Sequence, residues 1–65
     1  MGTSNSRNQT HFVLPKFRKG DNVRTPHGVG SVIQVDLEKH GYYYGVKFED
    51  SVEYKYYAEV EIKKI

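Results

Sequence analysis

The chain has no cysteine and no tryptophan, only two prolines and one methionine, and no long apolar run. Without cysteine it can form neither a disulfide nor a thiolate metal site, which fits a reducing compartment. His11, His27 and His40 stand far apart in sequence, unlike any compact ligand spacing, so no metal is expected. No stretch approaches the roughly 20 apolar residues of a membrane span, and no signal-peptide core is present. The expectation is a cytoplasmic protein with no membrane role and no cofactor. A large core is lacking too, because 65 residues make one domain at most. A chain of that size buries only about 60% of the surface it exposes when unfolded. The opening MGTSNSRNQT offers no large apolar side chain beyond Met1. Residues 1–11 are therefore expected to be a disordered tail, and 12–65 the folding unit.

Charge is present but unevenly placed. The net charge is only +2. Between residues 14 and 27, however, Lys16, Arg18, Lys19 and Arg24 face Asp21 alone, whereas residues 28–65 carry five lysines against seven acids. A local basic patch attracts phosphates or an acidic protein surface, or it serves as a solvated face.

Helical periodicity is missing, and alternation takes its place. In VGSVIQVDLE, residues Val29, Ile33, Val35 and Leu37 are expected on one face, with Val32 breaking the pattern in a bent strand. In YYYGVKFED, Tyr42, Tyr44, Val46 and Phe48 share a face opposite Tyr43, Gly45 and Lys47. In SVEYKYY, Val52, Tyr54 and Tyr56 alternate with Glu53, Lys55 and Tyr57, and VEIKKI supplies a short last strand. Turn signals separate these runs. KGD precedes a short strand over Asn22–Thr25, and KHG and ED are reversals. In TPHG, Pro26 fixes φ and Gly28 can take φ > 0. YAEV, 57–60, suits a single 3-10 turn. Five short strands with one helical turn before the last describe an all-β fold, a small SH3-like barrel. The expected core is Val23, Ile33, Val35, Tyr44, Val46, Phe48 and Ile62, with Tyr54 also facing inward.

The stretch FRKGDNVRTPHGVGSVIQV resembles the opening of SH3-like and Tudor-like bacterial modules, in which a hydrophobe shortly before the Gly-Asp pair enters the core. The turn Pro26 to Gly30 is similar to that of the RNA-polymerase-interacting domain of the CarD and transcription-repair coupling factor family. Val46 to Phe48 and Val60 to Ile65 resemble the C-terminal Tudor-like domain of UvrD and PcrA helicases, and KOW modules share the Gly-Asp start. These resemblances imply a non-catalytic binding module in nucleic-acid transactions. Its partner would be a protein such as RNA polymerase or a helicase, or nucleic acid itself.

A resemblance of another class implies an enzyme. FVLP, FRKGDNVR and SVEYKYY echo the order of segments in plasmid-borne type II dihydrofolate reductases, tetrameric SH3-like barrels that bind NADPH in a shared pore. The chain departs from that pattern at Thr25, Glu53, Tyr54 and Lys55. Four copies of Glu53 facing one pore would repel the cofactor phosphates. The chain also lacks a candidate nucleophile, and five short strands are expected to leave no cleft, so catalysis within one monomer is not expected.

Six residues remain as a candidate binding surface: Arg18, Lys19, Arg24, His27, Tyr43 and Tyr57. The cations suit phosphate contact without sequence readout. Tyr43 and Tyr57 alternate outward, and neighbouring strands can bring them together as a stacking platform, a cleft wall or a cross-strand pair. His27, inside the glycine turn, suits a turn hydrogen bond.

Overall fold

The computed structural model describes residues 13–65, so the expected tail, 1–11, lies outside the described residues. The fold is all-β. Five antiparallel strands, β1 (Asn22–Thr25), β2 (Gly28–Glu38), β3 (Gly41–Phe48), β4 (Tyr54–Ala58) and β5 (Lys63–Lys64), form one sheet in the order β4-β3-β2-β1-β5. A lone 3-10 turn, Glu59–Glu61, precedes β5.

The sheet curls without closing through hydrogen bonds, so β4 and β5 keep free edges that a sealed barrel would lack. Chain length enforces the curl. At about 4.8 Å per strand, β4 and β5 would lie roughly 19 Å apart in a flat sheet. Only residues 59–62 join them, and a 3-10 turn plus one extended residue reaches roughly 13 Å. The edges must approach each other, and the concave side between them becomes the core.

That core holds Phe17, Val23, Val32, Tyr44, Val46, Tyr57 and Ile62, with Val35, Tyr42 and Phe48 packed against it. Phe17, the hydrophobe ahead of Gly20-Asp21, sits edge-on to Tyr44 at 5.2 Å between ring centroids. The Gly20 amide donates to the Val32 carbonyl at 2.8 Å and the Val32 amide to the Asp21 carbonyl at 2.9 Å, which moors the N-terminal segment to β2. Tyr44, the largest fully buried side chain, donates its hydroxyl to Glu59 Oε2 at 2.5 Å. The Lys16 amide donates to the Tyr44 hydroxyl at 3.1 Å and to Glu59 Oε2 at 3.0 Å. One polar knot therefore ties the entering segment, β3 and the 3-10 turn together.

Two expected core positions are corrected. Ile33 is 36% exposed, because the β2–β3 register shifts between Val32 and Gln34. Such a bulge adds a residue to one strand and reverses its alternation. Val32, opposite Val46, and Val35, opposite Tyr44, thus both face the core, while Val29 and Leu37 are exposed. In β4 the alternation runs one residue out of the expected register. Tyr57 lies opposite Tyr44 and is 4% exposed, whereas Tyr54 is 48% exposed. In the tail only Ile62 is buried, and Val60 and Ile65 are open to solvent.

The first hairpin turns on Pro26 and His27 and leaves through Gly28, whose φ is +129°. The His27 amide donates to Thr25 Oγ1 at 3.0 Å, and that hydroxyl donates to the Gly28 carbonyl at 2.8 Å. An added Cβ at Gly28 would meet no atom within 4 Å, so backbone conformation is what a side chain would strain there. Gly28→Ala should destabilise by about 1–3 kcal/mol, read as a lower denaturation midpoint. An unchanged midpoint would show that the turn accommodates a side chain.

Candidate functional site

The two faces of β3 carry different chemistry. Its inner residues Tyr42, Tyr44, Val46 and Phe48 build the core side, while Gly41, Tyr43, Gly45 and Lys47 point outward. On the outer face Asp36 lies opposite Tyr43, Gly45 is flanked by Gln34 and Tyr56, and Lys47 is flanked by Ser31 and Tyr54. Gly45 is a floor on which two rings rest. A Cβ there would lie 3.1 Å from the Tyr54 ring and 3.3 Å from that of Tyr56. The Tyr54 and Tyr56 rings meet edge to face, 5.5 Å apart and inclined at 74°.

Beside them an open cleft of about 590 Å³ runs between the β2–β3 turn and Tyr56, lined by Asp36, Glu38, Lys39, His40, Tyr43 and Tyr56. Partial burial first, then the neighbouring Tyr54 hydroxyl and the Asp36 carboxylate, push the Tyr56 hydroxyl above its ordinary value. The hydroxyl stays protonated at neutral pH and remains a hydrogen-bond donor at the cleft wall.

The six expected site residues divide into three groups. Tyr43 does face outward, half-buried at the cleft. Tyr57 does not: it lies on the core side, its ring edge-on to Phe48 and its hydroxyl 2.9 Å from His27 Nδ1. Tyr43 pairs with Ala58 and Tyr57 with Tyr44, so the two tyrosines sit on adjacent strands but on opposite faces. His27, linked to Tyr57, fastens the first hairpin turn to β4. Its side chain serves the fold's closure on the side away from the cleft.

Arg18, Lys19 and Arg24 are exposed at the far end of the sheet. Arg24 lies opposite Lys63, and Lys64 reaches Asp21 at 3.7 Å. The basic end therefore recruits two lysines from the end of the chain. Strands β2 and β3 lie between β1 and β4 in the hydrogen-bonded order, and none of the three cations lines the cleft beside Tyr56.

Tyr54 and Tyr56 escaped the sequence reading because tyrosine occupies both registers of β4. Gly45 held the available signal: a glycine between outward Tyr43 and Lys47 leaves room for rings from a neighbouring strand. Glu53 lies between β3 and β4 with its amide donating to Ser51 Oγ at 3.0 Å. Among the described residues no cluster of three His, Asp or Glu could hold a metal, and no helix is long and apolar enough to cross a membrane. No protein family, curated protein or solved structure matches the chain.

Proposed function

We propose that the protein is a non-catalytic binding module that docks on another protein through the outer face of β3 and β4. The observation that carries this reading is the tyrosine platform: Tyr54 and Tyr56 are about half exposed, at 48% and 50%, and are held over Gly45 beside an open cleft. Rigid, amphipathic rings are favoured interface anchors because they bury much area for little conformational entropy. The partner class follows from the sequence resemblance, a protein of the RNA polymerase or helicase type. Nucleic acid is disfavoured at the cleft, because Asp36 and Glu38 line it beside Tyr56 and would repel phosphates.

Titration of bacterial RNA polymerase core and, separately, of a single-stranded oligonucleotide tests the proposal. The expected result is a polymerase complex that Tyr56→Ala weakens by about 2 kcal/mol or more, the scale of an interface anchor. Oligonucleotide binding should be weak and abolished by salt. Tight oligonucleotide binding that loses on the order of 1–3 kcal/mol on Tyr54→Ala would reassign the face to base stacking. Binding to neither would overturn the reading.

A further inference from the structure

We propose that the cleft beside Tyr56 receives a positively charged lysine or arginine side chain from a basic segment of the partner protein. This inference rests on the docking reading and specifies what the docked segment presents. Across the β2–β3 ladder, Asp36 stands opposite Tyr43 and Glu38 opposite Gly41, so two carboxylates flank one aromatic ring on the outer face. Gly41, two residues before Tyr43 on the same face, contributes no side chain and has open space above it, which leaves that side of the Tyr43 ring accessible from the cleft that Tyr56 also lines.

The chemistry of that lining selects a cation. The faces of tyrosine rings attract a positive charge through their quadrupole. A guanidinium or ammonium can touch the rings with its stem and pair its head with a carboxylate. A neutral apolar side chain would strip water from Asp36 and Glu38 without replacing the lost hydrogen bonds. An anionic group would meet two like charges. Lys39 and His40 also line the cleft, and Lys39 opposes an incoming cation. Two carboxylates outnumber it, and its removal provides a control with the opposite sign.

The test is an amide NMR titration of the full chain with hexa-arginine, hexa-lysine, hexaglutamate and a short oligothymidine. Both basic peptides should shift amides in residues 36–45 and 54–58, and the acidic peptide and the oligothymidine should leave those amides unmoved. Tyr56→Ala should lower affinity for the basic peptides about two- to fivefold, the scale of an exposed cation–π contact. Tyr56→Phe should retain affinity, which separates the ring from its hydroxyl, and a dispersed amide spectrum of Tyr56→Ala separates loss of the ring from loss of the fold. Asp36→Asn should weaken binding by up to about fivefold and Lys39→Gln should strengthen it, both effects shrinking at high salt.

Shifts at the cleft with hexaglutamate or oligothymidine, or unchanged affinity in Asp36→Asn, would overturn the cationic occupant. So would basic peptides that shift only amides elsewhere. If those peptides miss the cleft while Tyr56→Ala still breaks the polymerase complex, the docking face stands and its occupant is wrong. If they bind the cleft and the polymerase does not bind, the cation site stands and the partner is wrong.

Discussion

Tyr44→Ala should leave the chain unfolded or nearly so at room temperature. Removing a buried aromatic ring costs about 3–5 kcal/mol, and a folded unit of this size has a total stability of only about 3–8 kcal/mol at the usual value per residue. The loss exceeds that of an ordinary cavity because Tyr44 also holds the polar knot. Without it, Glu59 Oε2 and the Lys16 amide lose their shared hydroxyl. Chemical denaturation would measure the effect, and a variant that retained most of the wild-type midpoint would refute it.

Tyr44→Phe isolates the hydroxyl. It should cost about 1–3 kcal/mol, the range for a hydrogen bond to a charged acceptor, and it should change the response to pH. Burial, reinforced by the Glu59 carboxylate, pushes the Tyr44 hydroxyl from 10.0 up to about 12. A group whose value is raised by folding stabilises fully below its unfolded value and loses that contribution as pH rises through the folded one. The wild type should therefore lose about 2 kcal/mol between pH 10 and 12, whereas Tyr44→Phe, with no hydroxyl to ionise, should not.

At acidic pH the sign is reversed. Burial disfavours the Glu59 carboxylate, but the Tyr44 hydroxyl and the Lys16 amide outweigh it and hold the group below its ordinary value. That contribution is present above the ordinary carboxylate value and is lost as pH falls through the lowered one. Denaturant midpoints across pH for the two proteins should converge at both extremes. Parallel curves would show that neither ionisation is linked to the knot, and coincident ones that the hydroxyl contributes nothing.

Gly30→Ala is the second change with a large expected effect, for a reason unlike that at Gly28. An added Cβ would lie 2.6 Å from the Lys47 carbonyl oxygen and 2.7 Å from Val46 Cγ1. The nearest obstacle is backbone, so β2 and β3 must separate just where Gly30 pairs with Phe48. Forcing atoms into a packed core costs about 1–3 kcal/mol and occasionally more, and here the upper part of that range is expected. Thermal melting of Gly30→Ala beside Gly28→Ala compares crowding with backbone strain. If Gly30→Ala melted at the wild-type temperature, the close approach of the two strands would not matter to stability.

Alternation along the chain is enough wherever the two faces of a strand differ chemically. Val23, Tyr44, Val46 and Ile62 were readable as core from alternation, and all four are buried. The five strands were readable from the turns between them, as was the positive φ of Gly28. Other features depend on how distant strands pair. In β4 tyrosines stand in both registers, and tyrosine suits a core or a wet surface equally. Pairing with β3 alone turns Tyr57 inward and Tyr54 and Tyr56 outward. The bulge after Val32 exposes Ile33 by shifting the β2–β3 register between Val32 and Gln34, which local alternation does not record. The basic end behaves the same way: Arg24 and Lys63 lie far apart in sequence and become opposite neighbours only when β5 returns to pair with β1. Period-two alternation reports the face of a strand, whereas which faces share a surface depends on strand order and register, set by long-range packing.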